Sequence, residues 1–204
     1  KELVYRDPKI SCFVPIPLRP RLRPPILPDV TDPLIPYAVC TASEVGRGVD
    51  GVDPKSIRFI RIAQGLGWPY DNEHGGWRYE TDAKGIGINW NPVRILGTVP
   101  VEADGSAHFR VPADTPVYFQ LLDENQMELR RMRSFISFQL GETRGCTGCH
   151  ETRAEAPSAA YASAHQREPS VPEPPLWGDR PLSFLRDVQP VLDAHCVRCH
   201  GGLK

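Results

Sequence analysis

Cysteine and histidine recur twice in one pattern: Cys146-Thr-Gly-Cys149-His150 and Cys196-Val-Arg-Cys199-His200. C-x-x-C-H is the spacing of c-type haem attachment. Two thiols with two residues between them reach the two vinyl groups on one porphyrin edge. The histidine that follows offers an imidazole nitrogen to the iron. The pattern therefore predicts two covalently bound haem c groups. Cys146 and Cys149 hold one, with His150 as proximal iron ligand; Cys196 and Cys199 hold the other, with His200. Paired C-x-x-C motifs also bind zinc, usually about 15–20 residues apart. Here 46 residues separate Cys149 from Cys196, and zinc does not explain a histidine after each second cysteine. Zinc is the weaker reading, and plain disulfides are another.

Covalent haem attachment takes place outside the cytoplasm, so the chain is expected to be secreted, periplasmic or extracellular. No charged-then-apolar leader opens it, which reads as a signal peptide already removed. No apolar run approaches the roughly 20 residues of a transmembrane helix. A net charge of −1 gives no electrostatic reason to expect nucleic acid. Cys12 and Cys40 lie outside the motifs. In an oxidising compartment they read as a disulfide, as two unlinked buried thiols, or as a source of a thiolate metal ligand near a haem.

The chain carries 22 prolines and 17 glycines among its 204 residues, well above the usual ~12% for the two together. Proline breaks helix interiors, which argues against a helix bundle. Residues 1–36 read as a proline-rich extended arm. Residues 37–153 read as β: short Val-, Ile-, Phe- and Tyr-rich runs at 37–41, 56–62, 93–101, 107–111 and 116–122 are bounded by turn signals such as Asp104-Gly105. A further strand at 134–138 is expected to lead into the first haem motif. The fold class is mainly β with short helices: a small β-sandwich carrying one c-type haem. An aromatic loop between Trp68 and Trp90, containing His74, packs on the sandwich or covers a haem face. Residues 154–180, rich in Ala, Ser, Glu and Pro, read as a linker. Within 181–204, Phe184, Leu185, Val188, Val191 and Leu192 mark one face of a helix that Pro190 kinks or restarts, leading into the second motif as in cytochromes c.

The run from Ile95 through Gly97-Thr98-Val99-Pro100 and Asp104-Gly105 to Val111-Pro112, then Pro116-Val117-Tyr118, Leu122-Asp123-Glu124, Met132-Arg133-Ser134 and Gly141-Glu142, leads into Cys146. It resembles the middle domain of the hydrazine synthase alpha subunit family. Asp187-Val188-Gln189-Pro190-Val191-Leu192 is similar to the start of the cytochrome c domain that often follows. In hydrazine synthase a tyrosine four residues after the motif histidine holds the iron, while that histidine and a distant cysteine bind zinc. Here the tyrosine position is Ala154, and Cys40 is the implied counterpart of the zinc-binding cysteine.

Two bis-histidine haems need four imidazoles. His150 and His200 are proximal, which leaves His74, His108, His165 and His195 as candidate distal ligands; Met127 and Met132 are weaker ones. The main expectation is a dihaem cytochrome c that transfers electrons to redox partner proteins, an electron carrier rather than a catalyst. The alternative is a redox enzyme with one open haem, related to hydrazine synthase-type nitrogen chemistry. Only four residues follow His200, so the second haem is expected to be covered by His74 or His165. Those groups come from this chain, a partner subunit, or a homo-oligomer or filament of haems.

Overall fold

A computed structural model describes all residues except 1, 2, 4, 13–15, 17, 27, 67–92, 153, 155, 157–161, 179 and 202–204. The aromatic loop with His74 lies outside the described residues. Among the described residues seven strands form two sheets: β1 (Tyr37–Ala42), β2 (Phe59–Gly65), β3 (Val93–Pro100), β4 (Ala107–Pro112), β5 (Val117–Leu122), β6 (Glu128–Arg131) and β7 (Thr143–Cys146). One sheet runs β4-β1-β7 and the other β3-β2-β5-β6. Short helices follow, so the molecule is mainly β with short helices.

Alternation explains the first sheet. Ala38, Cys40 and Ala42 of β1, and Ala107, Phe109 and Val111 of β4, turn inward at every second position. They share one core with Ile60, Ile62, Val99, Val117 and Leu121 of the second sheet. Phe109 meets Phe119 edge to face, ring centroids 5.4 Å apart, which joins the two layers at their middle. All pairs are antiparallel except β1 with β7, which are parallel. β7 is thus an edge strand entering beside β1 after a crossover from the second sheet. Its register sets Arg144 opposite Cys40 and Cys146 opposite Ala42.

One local expectation is corrected. Residues 134–138 form no strand; they make a single bridge, Ile136 with Val117, and the strand entering the first motif is β7. Part of the stretch read as linker, from Ser163 to Glu173, is hydrogen-bonded to the sheets and the turn between β3 and β4. Ser170 exchanges bonds with His108 and Arg110 on edge strand β4, each 2.9 Å, and Glu173 does so with Thr98 on edge strand β3, also 2.9 Å. One segment therefore covers a free edge of each sheet, where unpaired amides would otherwise stand open. The Arg167 side chain fixes it by bonding Glu102 (2.8 Å) and Ser170 Oγ (2.7 Å).

At the C-terminal end a π-helical turn, Phe184–Val188, passes into α1 (Gln189–His195) with Pro190 in its first turn, and α2 (Val197–His200) follows. Pro190 restarts the helix because its ring has no N–H to donate and is tolerated only at a helix start. Asp187 takes a two-pronged bond from Arg180 (2.8 Å for each arm) and one from the Ser183 amide (2.8 Å). The apolar side chains Phe184, Leu185, Val188 and Val191 remain exposed.

Candidate functional site

The first C-x-x-C-H motif starts on the last residue of β7 and continues through bends to His150. The loop after β1 clamps it: the Ser43 amide donates to the Cys146 carbonyl (3.1 Å), Glu44 to Thr147 (3.0 Å), and His150 to Arg47 (3.4 Å). Glu151 folds back and accepts from the amides of Thr147 and Gly148. Gly48 supplies the positive φ (74°) this approach requires, and a Cβ there would lie 2.3 Å from the His150 carbonyl oxygen. The motif is therefore held rigidly without being helical.

Cys146 and Cys149 are half-buried and line one apolar cavity of about 80 Å³, together with Cys40, Phe109, Phe119, Met132 and Ile136. His150 is exposed directly beside it. Cys40 is 1% exposed, and its thiol is hydrogen-bonded to that of Cys146. The two sulfurs respond in opposite directions. The Cys40 bond, followed by burial, pushes Cys40 well above the ordinary thiol range, because the deeper group keeps its proton. The same bond draws Cys146 down to about 7, against the opposing effect of burial. Burial raises Cys149.

The cavity is smaller than a porphyrin, so a macrocycle fits only at its mouth. The donor set there suits haem c: two thiols opening on one apolar hollow, then an exposed imidazole. Cys12 is exposed on the arm and Cys40 is buried against Cys146, so the disulfide reading of that pair gives way to two free thiols. Among the described residues no three His, Cys, Asp or Glu side chains are grouped as a metal-ligand set.

The candidate distal histidines are distributed by the pleat. His108 pairs with Thr41, and Thr41 with Gly145, so its ring lies on the face of the sheet opposite the Cys146 thiol. Its Nδ1–H donates to the Arg167 carbonyl oxygen at 3.1 Å. It also meets His165 edge to face, centroids 5.7 Å apart. His165 belongs to the 3-10 helix Ser163–Gln166. These two candidates are thus brought together, with each other. In the second motif Cys196 is half-buried, and Cys199, His200 and His195 are exposed on α1 and α2. Sequence reasoning missed the Cys40–Cys146 contact. Alternation placed Cys40 inward, but only the β1–β7 pairing shows what it faces.

Residues 55–151 match the hydrazine synthase alpha subunit middle domain family. The chain is 25% identical over 211 aligned residues to hydrazine synthase subunit alpha of Kuenenia stuttgartiensis, covering 78% of this chain and 25% of that protein. The solved hydrazine synthase of the same organism shares the fold, with a TM-score of 0.62 at 21% identity over 81% of this chain and 30% of that one. The chain thus spans about a quarter of the curated relative's length. These matches correct the expectation of an electron carrier rather than a catalyst, since the relatives are named as a synthase. They likewise replace the description as a dihaem cytochrome c of electron-transfer or filament type with a hydrazine synthase-related one. The matched domain ends at residue 151, short of the 181–204 segment expected to be cytochrome c-like.

Proposed function

We propose that this chain is a haem-bearing domain of a redox enzyme related to hydrazine synthase, acting on small nitrogen compounds such as hydroxylamine or nitric oxide. One observation carries the reading: the family match ends one residue beyond His150, and the two thiols within it open on a single apolar cavity. In this reading Cys146 and Cys149 would tether a haem, and His150 would supply the imidazole that holds it. Bound there, haem would supply reversible one-electron chemistry. The protein's own contribution is positional. Glu151 and the 43–48 loop hold the tethering residues, and the apolar lining keeps water from the thioether side. Cys196, Cys199 and His200 carry a second haem c.

A relative named as a subunit supports action within a multi-subunit assembly, with the exposed apolar residues of the C-terminal helices facing a partner subunit. Covalent haem attachment supports a location outside the cytoplasm. Among the described residues no helix is long and apolar enough to cross a membrane.

The test is production in a host with haem-attachment machinery. Intact mass should exceed the polypeptide by two haems that survive acid–acetone extraction. One haem should be high-spin and bind carbon monoxide, and the preparation should turn over hydroxylamine or nitric oxide with a supplied electron donor. No acid-stable haem, or no carbon monoxide binding by any haem, would overturn the reading.

A further inference from the structure

Three thiols line a cavity where haem attachment would use two. Cys40 is the extra one. It comes from β1, the strand paired to β7, with Cys146 two register positions beyond its direct partner Arg144. Both residues turn to the core side of the sheet, because Cys146 pairs with inward-facing Ala42. We propose that, in the haem-free chain, Cys40 and Cys146 form a reversible disulfide that closes Cys146 to thioether attachment. The consequence for haem loading rests on the reading above; the disulfide does not.

The placement favours this pairing over Cys146 with Cys149: Cys40 and Cys146 turn inward from paired neighbouring strands, whereas Cys149 lies beyond the end of β7 in the bends of the motif. Diagonal neighbours on paired strands stand about 7–8 Å apart, beyond the disulfide Cα span of about 4.4–6.8 Å, so the backbone on one side must yield. Cys146 can do so. It is the last residue of a four-residue edge strand, whereas Cys40 is fixed between β4 and β7.

The oxidant is a small-molecule or protein disulfide. The Cys146 thiolate attacks one of its sulfurs, forming a mixed disulfide and expelling one thiolate. Cys40 then gives up its proton, attacks the Cys146 sulfur and expels the second. Two electrons and two protons pass from the pair to the oxidant, which leaves as two thiols. Half-buried Cys146 receives the oxidant, and buried Cys40 resolves the mixed species. A thiol dithiol reductant reverses both steps.

The experiment equilibrates the haem-free full-length chain with oxidised and reduced glutathione, alkylates free thiols, and maps linkages by mass spectrometry of non-reduced peptides. A Cys40–Cys146 linked peptide, two hydrogens lighter than its parts and with Cys149 alkylated, is expected. It should persist in Cys149→Ala and vanish in Cys40→Val and Cys40→Ser, whichever of the two keeps the wild-type circular dichroism. A dominant Cys146–Cys149 link, or a free Cys40 thiol in the oxidised folded chain, would overturn the proposal. In the loading arm, oxidised chain should attach haem at Cys146 at least tenfold more slowly than chain pretreated with dithiol. Equal rates would overturn the closing role. A mapped disulfide with no haem attached to reduced chain would instead sink the haem reading and leave the disulfide standing.

Discussion

Gly148 and Arg47 stand so close that a methyl group on the glycine would lie 2.7 Å from both the Cβ and the carbonyl oxygen of the arginine, and 3.1 Å from the Glu44 carbonyl. The obstacle is largely backbone, so it cannot swing aside. Gly148→Ala should cost about 1–3 kcal/mol, the usual range for forcing bulk into a packed site. It should also part the motif from the 43–48 loop. Denaturant midpoints of the two haem-free chains check this; an unchanged midpoint would mean that the loop gives way freely.

The thiol pair sets a pH dependence. With Cys146 held down to about 7 by the Cys40 bond, its alkylation rate in the reduced haem-free chain should rise through pH 7. Replacing Cys40 with Val should move that midpoint up toward the ordinary thiol value of about 8.5. Peptide-resolved iodoacetamide kinetics from pH 5 to 10 measure it. A midpoint unmoved by the substitution would show that Cys40 does not bear on Cys146.

Asp104 ties the β3–β4 turn to the segment covering the sheet edges. It accepts from Ser106 Oγ (2.6 Å) and from the Ser163 amide (2.7 Å). Partial burial pushes its carboxyl up, but the bonds from Ser106 and Ser163 outweigh this and hold it well below the usual 3.8. A depressed folded value means a contribution present above the unfolded value and lost as pH falls through the folded one. Protection of the Ser163 and Ala164 amides in hydrogen exchange should therefore hold at neutral pH and fall on acidification below about pH 4. In Asp104→Asn the acid-linked part of that fall should be missing.

Phe109 is 1% exposed and touches both sheets. Phe109→Ala should cost about 3–5 kcal/mol, the usual figure for emptying a buried aromatic site. Because β4 carries the edge-covering segment, its loss should also release residues 162–173 to protease. A cost below about 1 kcal/mol in a chevron or equilibrium melt would show that the two layers do not depend on this ring.

In the haem-loaded protein, His150→Ala should leave both thioethers of the first haem intact while shifting its spin state, because tether and iron ligand are separate groups. Mass and absorption spectra read the two effects independently. A wild-type spectrum in the variant would assign the iron to another side chain.

Much of this was already determined by local residues. Alternation in Ala38-Val39-Cys40-Thr41-Ala42 and in Ala107-His108-Phe109-Arg110-Val111 marks strands and their inward faces, because a pleat has a period of two. Pro190 marks a helix restart because it has no N–H to donate. The spacing of the two C-x-x-C-H motifs is what the haem proposal starts from, and haem loading is what tests it. What the sequence could not decide is which distant segments meet. Composition made 154–180 a linker, yet backbone bonds to Thr98, His108 and Arg110 place part of it along two sheet edges, and backbone amides leave no mark in composition. Cys12 and Cys40 formed a pair only by count. The parallel β1–β7 pairing instead brings Cys40 diagonally beside Cys146, more than a hundred residues away in sequence, an approach that exists only once the core of the two sheets has closed around it.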